Sequence, residues 1–480
     1  MLNTLKRLWR QQSGQDAAEY ALLIVGIAMV IVAALYAFGG STSNSFGSAT
    51  NTVMGSAAGG SGGGSGSGGG GSSGSGGSTS SSSKVLKVWW YEAPGSAYYI
   101  AWSQAVKDFK KAHPGVKVEF SEKSFNQMQQ TAPMVLNSNN VPDVMEYNKG
   151  DATTGLLSKQ GLLTDLTPQV TKYGWDKLLS PTLQVTSRYD SRGVMGSGNW
   201  YGVPNYAEYL MVYYNKELFA KYGISVPTTF AEFTAAMDKF VKAHVTPLAN
   251  AGNDYAAMQY LYELALSRAT PAWVSAYQRY TAKVNFHDAA WTYAANTLAA
   301  WVKKGYIAKD SVGMTATQMG TAFEGQKYPM LVSGSWWFGL FESEVKNFQW
   351  GTFLWPGNTM DPGSGGNLWV VPKNAANKQL AYDFINITMQ PDIQKLLGNN
   401  GAVPVSASTA GVTNPLNQQL IQNFQTLAKN NGLAYYPDWP TPTFYNALLQ
   451  QTQNLMNGTS PSQVLGTLQS TYDQYVSTIH

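Results

Sequence analysis

The side chains of this chain that could do chemistry are flat rings standing next to carboxylates and amides. Tyr91 precedes Glu92, Asn205 and Tyr206 come just before Glu208, Asp254 precedes Tyr255, Trp336 and Trp337 are adjacent, and Asp438 precedes Trp439. A ring can stack on the apolar face of a flat ligand, and a neighbouring carboxylate or amide can accept hydrogen bonds from that ligand's hydroxyls. That is the chemistry of holding a molecule. Turnover would need a nucleophile with its base, a metal cluster or a spaced carboxylate pair. The four histidines, His113, His244, His287 and His480, share no ligand spacing and no partner motif, and there is no cysteine. No zinc, nucleotide or EF-hand pattern is present, so neither an enzyme nor a cofactor is expected.

Composition supports a binding role and narrows the partners. The chain has 480 residues with 44% apolar content, enough for a large core, and only 12% charged residues. A net charge of +4 gives no strong pull toward nucleic acid, so no nucleic-acid partner is expected. The absence of cysteine removes disulfides, thiolate metal sites and a lipid-modified cysteine anchor. Aromatics reach 13%, with 15 Trp and 28 Tyr, an excess divided between core and ligand contact.

The N-terminus supplies an anchor of another kind. Lys6, Arg7 and Arg10 precede an apolar run from Ala17 to Phe38, which at 1.5 Å per residue spans roughly 33 Å, a bilayer core. The cations stay in the cytoplasm and the rest is exported, which places the body at the cell membrane or cell surface. Glu19 lies inside the run, where a carboxylate costs a few kcal/mol, about 2–3, unless it is paired. The string Ser13-Gly14-Gln15-Asp16-Ala17-Ala18-Glu19-Tyr20 resembles the processing site of Flp-type (type IVb, Tad) pilins. The resemblance implies cleavage by a prepilin peptidase between Gly14 and Gln15, and pairing of Glu19 with the new terminus of a neighbouring pilin subunit. The bland alternative is an uncleaved signal anchor. The expected organisation is a basic leader at 1–14, a pilin-like transmembrane helix at 15–38, and a Gly/Ser-rich linker at 39–83. That linker cannot bury enough apolar surface to order itself, and its root-mean-square span is roughly 35–40 Å.

The elements that must position the rings begin at Lys84. Val85–Tyr91 reads as a buried strand, Ala101–His113 as a helix stopped by Pro114-Gly115, and Val116–Phe120 as an alternating strand. A further short strand is expected over 141–145. Strand, helix, strand at this spacing predicts a parallel α/β sheet. Helical spacing recurs over 229–244, 255–267, 291–304, 379–389 and 443–456.

The ordered blocks of this body resemble the family 1 extracellular solute-binding proteins, the sugar-binding group that includes maltose-binding protein. The blocks are Pro142-Asp143-Val144, Trp200-Tyr201-Gly202-Val203-Pro204, Tyr213-Tyr214-Asn215-Lys216-Glu217-Leu218-Phe219, Gly334-Ser335-Trp336, Gly365-Gly366-Asn367 and Gly401-Ala402-Val403-Pro404. The resemblance implies an α/β, two-lobed periplasmic-binding-protein-like clamp (type II) over 84–480. One lobe would hold about 85–206 and 365–410, the other about 207–364 and 411–480. It also implies a mono- or oligosaccharide ligand and an ABC permease as partner, with the pilus-displayed adhesin or sensor and a non-sugar solute as alternatives. The implied ligand-binding residues are Tyr91, Glu92, Tyr147, Asp151, Asn205, Tyr206, Glu208, Asp254, Tyr255, Trp336, Trp337, Gly366, Asn367 and Trp439. Asp254 reads equally as a helix cap, Trp337 equally as core, and Trp439 as an exposed ring in a Pro-rich turn, facing ligand or packed on prolines. Gly366 is expected to let backbone approach the ligand.

Overall fold

The computed structural model describes residues 84–479 except 139 and 407. The leader, the membrane helix, the linker, and Gly14, Gln15 and Glu19 lie outside the described residues. Among the described residues, no helix is long and apolar enough to cross a membrane.

In chain order the strands are β1 (Val85–Trp90), β2 (Lys117–Glu122), β3 (Val144–Tyr147), β4 (Arg188–Tyr189), β5 (Asn199–Trp200), β6 (Val203–Pro204), β7 (Ala207–Asn215), β8 (Leu248–Ala249), β9 (Met330–Gly334), β10 (Trp350–Phe353), β11 (Gly363–Gly365) and β12 (Leu368–Val370). One sheet runs β2-β1-β3-β12-β6 and a second runs β10-β7-β9-β8, with β11 also paired to β7. A small antiparallel ribbon joins β4 to β5. As the strand-helix-strand pattern predicts, β1 pairs in parallel with both β2 and β3, while β12 runs antiparallel to β3 and β6. The alternating β2 strand turns out to be an exposed edge, with Phe120 39% exposed and tilted against Trp90 at 3.8 Å between ring centres.

Helix Ala97–Ala112 begins four residues earlier than the apolar spacing predicts, because Ser96 caps it by accepting from the Tyr99 backbone N–H. Ala97, Ala101, Trp102, Ala105 and Phe109 form its buried stripe, against helices Lys378–Thr388 and Pro391–Asn399. Helix Ala256–Leu266 is buried on every side. It is packed between β9 and helices Ala289–Lys304 and Phe444–Met456. Part of the aromatic excess goes here: the Trp291 ring lies within 6.1 Å of Tyr262, Tyr277, Phe286 and Trp273.

The chain passes between the two sheets twice in register. It leaves β6 for β7 through Asn205-Tyr206, and returns from β11 to β12 through Gly366-Asn367. The crossings are tied together: the Gly366 N–H donates to the Tyr206 carbonyl at 2.7 Å, and Asn367 Nδ2 donates to the Tyr206 hydroxyl at 2.6 Å. A Cβ on Gly366 would stand 2.3 Å from the Tyr206 ring, so only glycine permits this contact.

Candidate functional site

Strand ends on the two sheets, with the helices and one loop between them, enclose a cavity of about 320 Å³, within the range of small-molecule sites. The first sheet contributes Tyr91 and Glu92 after β1, Asn148 and Lys149 after β3, and Asn367 before β12. The second contributes Glu208 on β7 and Trp336 and Trp337 after β9. Tyr206 comes from the crossing, Tyr255 and Gln259 from helix Ala256–Leu266 and its start, and Tyr436, Asp438 and Trp439 from the loop before helix Phe444–Met456. Parallel strands leave their C-terminal ends open for loops, which is where ligand groups gather in α/β sheets.

The rings are oriented by hydrogen bonds. Trp336 and Trp337 each donate their indole N–H to the Tyr255 hydroxyl at 3.1 Å. The Trp336 indole folds back over Gly334, where a Cβ would stand 1.9 Å from the ring. Trp439 is 2% exposed, not the open ring of a Pro-rich turn. It occupies the space a Cβ on Gly150 would need, and Gly150 adopts φ +98.

The polar groups form a network centred on Lys149. Its ammonium, 3% exposed, pairs with Glu208 and donates to Asn367 Oδ1 at 3.1 Å. It also lies over the Tyr436 and Trp439 rings at 5.5 and 5.4 Å from their centres. Next to it, the Glu92 and Glu146 carboxyls face each other closely enough for a hydrogen bond. Burial, and in Glu146 the neighbouring Glu92 charge, hold both well above the usual carboxylate range. Neither Glu146 oxygen makes a hydrogen bond of normal geometry among the described residues, and the nearby Tyr91 backbone N–H only partly offsets the rise. Asp438 is pushed up to about 6, chiefly by burial.

Nine residues expected from the sequence come together at this cavity: Tyr91, Glu92, Tyr206, Glu208, Tyr255, Trp336, Trp337, Asn367 and Trp439. Five do not line it. Tyr147 is packed into the core, because β3 is buried on both faces. Asp151 turns toward the β4–β5 ribbon and accepts from the Met195 N–H at 2.7 Å. Asn205 is fully buried at the crossing, where its carbonyl accepts from Gln394 Nε2 at 2.8 Å. Asp254 is a cap, though of another helix: it accepts from the backbone N–H of Ala316, first residue of helix Ala316–Glu324. Gly366 makes its close approach to Tyr206 rather than to the cavity.

The cavity also holds groups the sequence reading left out, above all Lys149, Tyr436 and Gln259. A single signal pointed to Lys149, its place beside Asn148 in the loop after β3. Gln259 sits in a helix with apolar spacing, which gave no signal.

With the geometry in place, the chain can be set beside known proteins. A "probable sugar-binding periplasmic protein" of Rhizobium meliloti (strain 1021) is 35% identical over 99 residues, 20% of this chain. The chain spans about a fifth of that relative's length, 22%. A "maltooligosaccharide ABC transporter solute-binding lipoprotein" of Streptococcus pneumoniae serotype 4 is 23% identical over 296 residues, 59% of this chain and 64% of the relative. A solved "chitin oligosaccharide binding protein" superposes with a TM-score of 0.70 at 22% identity, covering 82% of this chain and 99% of that one. That likeness carries the fold, a mixed α/β two-lobed clamp of the periplasmic-binding-protein kind. The family model for bacterial extracellular solute-binding proteins matches residues 93–395, more than half of the sequence. The chain belongs to the bacterial extracellular solute-binding protein family, whose role is binding and not catalysis.

Proposed function

We propose that this protein captures a mono- or oligosaccharide outside the cytoplasm and delivers it to an ABC-type permease. The observation that carries the reading is the cavity between the sheets, where oriented rings alternate with buried hydrogen-bonding groups. Trp336, Trp337 and Tyr91 supply flat faces for sugar C–H surfaces, and Glu92, Asn367 and Asp438 supply acceptors for hydroxyls. Tyr206 and Glu208, on the crossing strand, connect that contact set to movement of one lobe against the other. The relatives' printed names, sugar-binding and maltooligosaccharide ABC transporter proteins, favour the same ligand class and the same partner.

The test is a thermal-shift screen of the full chain against mono- and oligosaccharides, because a ligand that binds only the folded state raises the melting point by mass action. A saturable rise with at least one sugar is expected. No rise with any sugar, together with a rise for a peptide or polyamine, would replace the ligand class.

The anchor belongs to the same proposal. The Ser13–Tyr20 string favours a pilin-like processed terminus, so the binding body would be displayed on a membrane helix and linker, and in a fibre if pilin subunits accept it. N-terminal sequencing of the native protein should read Gln15 first; a start at Met1 or beyond Phe38 would remove prepilin peptidase and pilins as partners.

A further inference from the structure

Resting on the carbohydrate reading above, we propose that the preferred ligand carries an ammonium group, as an amino sugar or an oligomer containing one. The argument begins with charge. Glu92, Glu208 and Asp438 line the cavity, and Glu146 stands directly behind Glu92. Against these four carboxyl groups the cavity wall offers one cation, Lys149; no arginine or histidine lines it. Lys149 is already committed to Glu208, Asn367 and two ring faces. Among the described residues Lys149 is therefore the one cation that faces Glu92, Glu146 and Asp438, and it is too few for them once it is paired with Glu208.

A neutral sugar changes little in that balance. Its hydroxyls can donate hydrogen bonds, but they bring no charge, so the acid pair keeps its proton. An ammonium brings both, three donors and a unit charge, to buried carboxyl groups, where ionic hydrogen bonds are stronger than neutral ones. The rings add to this, since a cation over an indole or phenol face is attracted to it. Binding then drives the proton that burial keeps on the Glu92–Glu146 pair out to the buffer.

The groups that set this titration are all in place. Glu92 is faced by Glu146 from β3, Lys149 from the following loop, and Tyr206 and Glu208 from the crossing and β7. The Tyr91 and Tyr98 hydroxyls lie within its field. Asp438 is faced by Lys149 and Glu208, and Tyr436, Tyr277 and Tyr445 lie within its own field.

The experiment is isothermal titration of the full chain with matched sugars: glucosamine, N-acetylglucosamine and glucose, galactosamine and galactose, and the corresponding disaccharides. Titrations run between about pH 6 and 7, in two buffers of different ionisation heat, read proton release from the acid pair. The expected result is that an amino sugar binds about tenfold or more tighter than its neutral counterpart, with net proton release. Glu92→Gln, with folding checked by its melting transition, should cut that preference by about tenfold. Neutral sugars bound as tightly as amino sugars without proton release would overturn the proposal and leave the carbohydrate reading standing. An unchanged preference in folded Glu92→Gln would also overturn it. Binding of spermidine with no sugar bound, or of no probe at millimolar concentration, would overturn both.

Discussion

Lys149 and Glu208 are each 3% exposed, and each is the other's only ionic partner among the described residues. Removing one leaves the other as a buried, uncompensated charge. Lys149→Met should therefore cost about 3–5 kcal/mol of stability, while Lys149→Met combined with Glu208→Leu should recover most of that loss. Denaturant unfolding measures both; a single-variant cost below about 1 kcal/mol would mean that the pair is relaxed by water. Trp336 works differently, as a half-buried face held by Tyr255. Trp336→Ala should leave folding largely intact and weaken sugar binding by about 1–3 kcal/mol. Unchanged affinity by calorimetry would place the stacking face elsewhere.

At the scale of elements, helix Ala256–Leu266 carries a second acid pair outside the cavity. Glu263, fully buried, faces Asp361 in the segment before β11, and Asn358 Nδ2 donates to Glu263 at 3.1 Å. Burial and mutual repulsion raise Glu263, and burial pushes Asp361 up to about 8. Their folded-state values lie above the unfolded ones, so the folded protein holds protons that the unfolded chain releases. Stability should consequently fall as pH rises from the ordinary carboxylate range through about 8. Glu263→Gln keeps the shape, removes the charge, and should flatten that fall, with a gain of about 1–3 kcal/mol at the alkaline end. Parallel stability profiles for the two proteins across this window would show the pair to be silent.

For the molecule as a whole, we propose that the two crossings joined at Tyr206 and Gly366 serve as hinges between the lobes. Each sheet supplies only part of the cavity wall. A ligand that touches both parts stabilises the closed arrangement through its differential contacts. Small-angle scattering should show a smaller radius of gyration at saturating sugar. An unchanged radius, with binding confirmed by calorimetry, would mean that the site is already closed without ligand.

The sequence by itself determined the opening strand, helix and strand, several of the later helices, the family blocks, and the turns that carry Tyr91-Glu92 and Trp336-Trp337. Those depend on local rules: apolar period, caps, and Pro or Gly stops, all acting within a few residues. It sent Asp151 to the ligand and left Asp254 between ligand and helix cap, and the fold gave each a backbone N–H to hold. Only the tertiary structure decided that the Trp439 ring, which the sequence put in an exposed Pro-rich turn, is buried against Gly150 and lines the cavity. It alone decided that Lys149 is buried. Its partners Glu208 and Asn367 lie 59 and 218 residues away in sequence, and a lysine leaves water only where folding brings such partners to it.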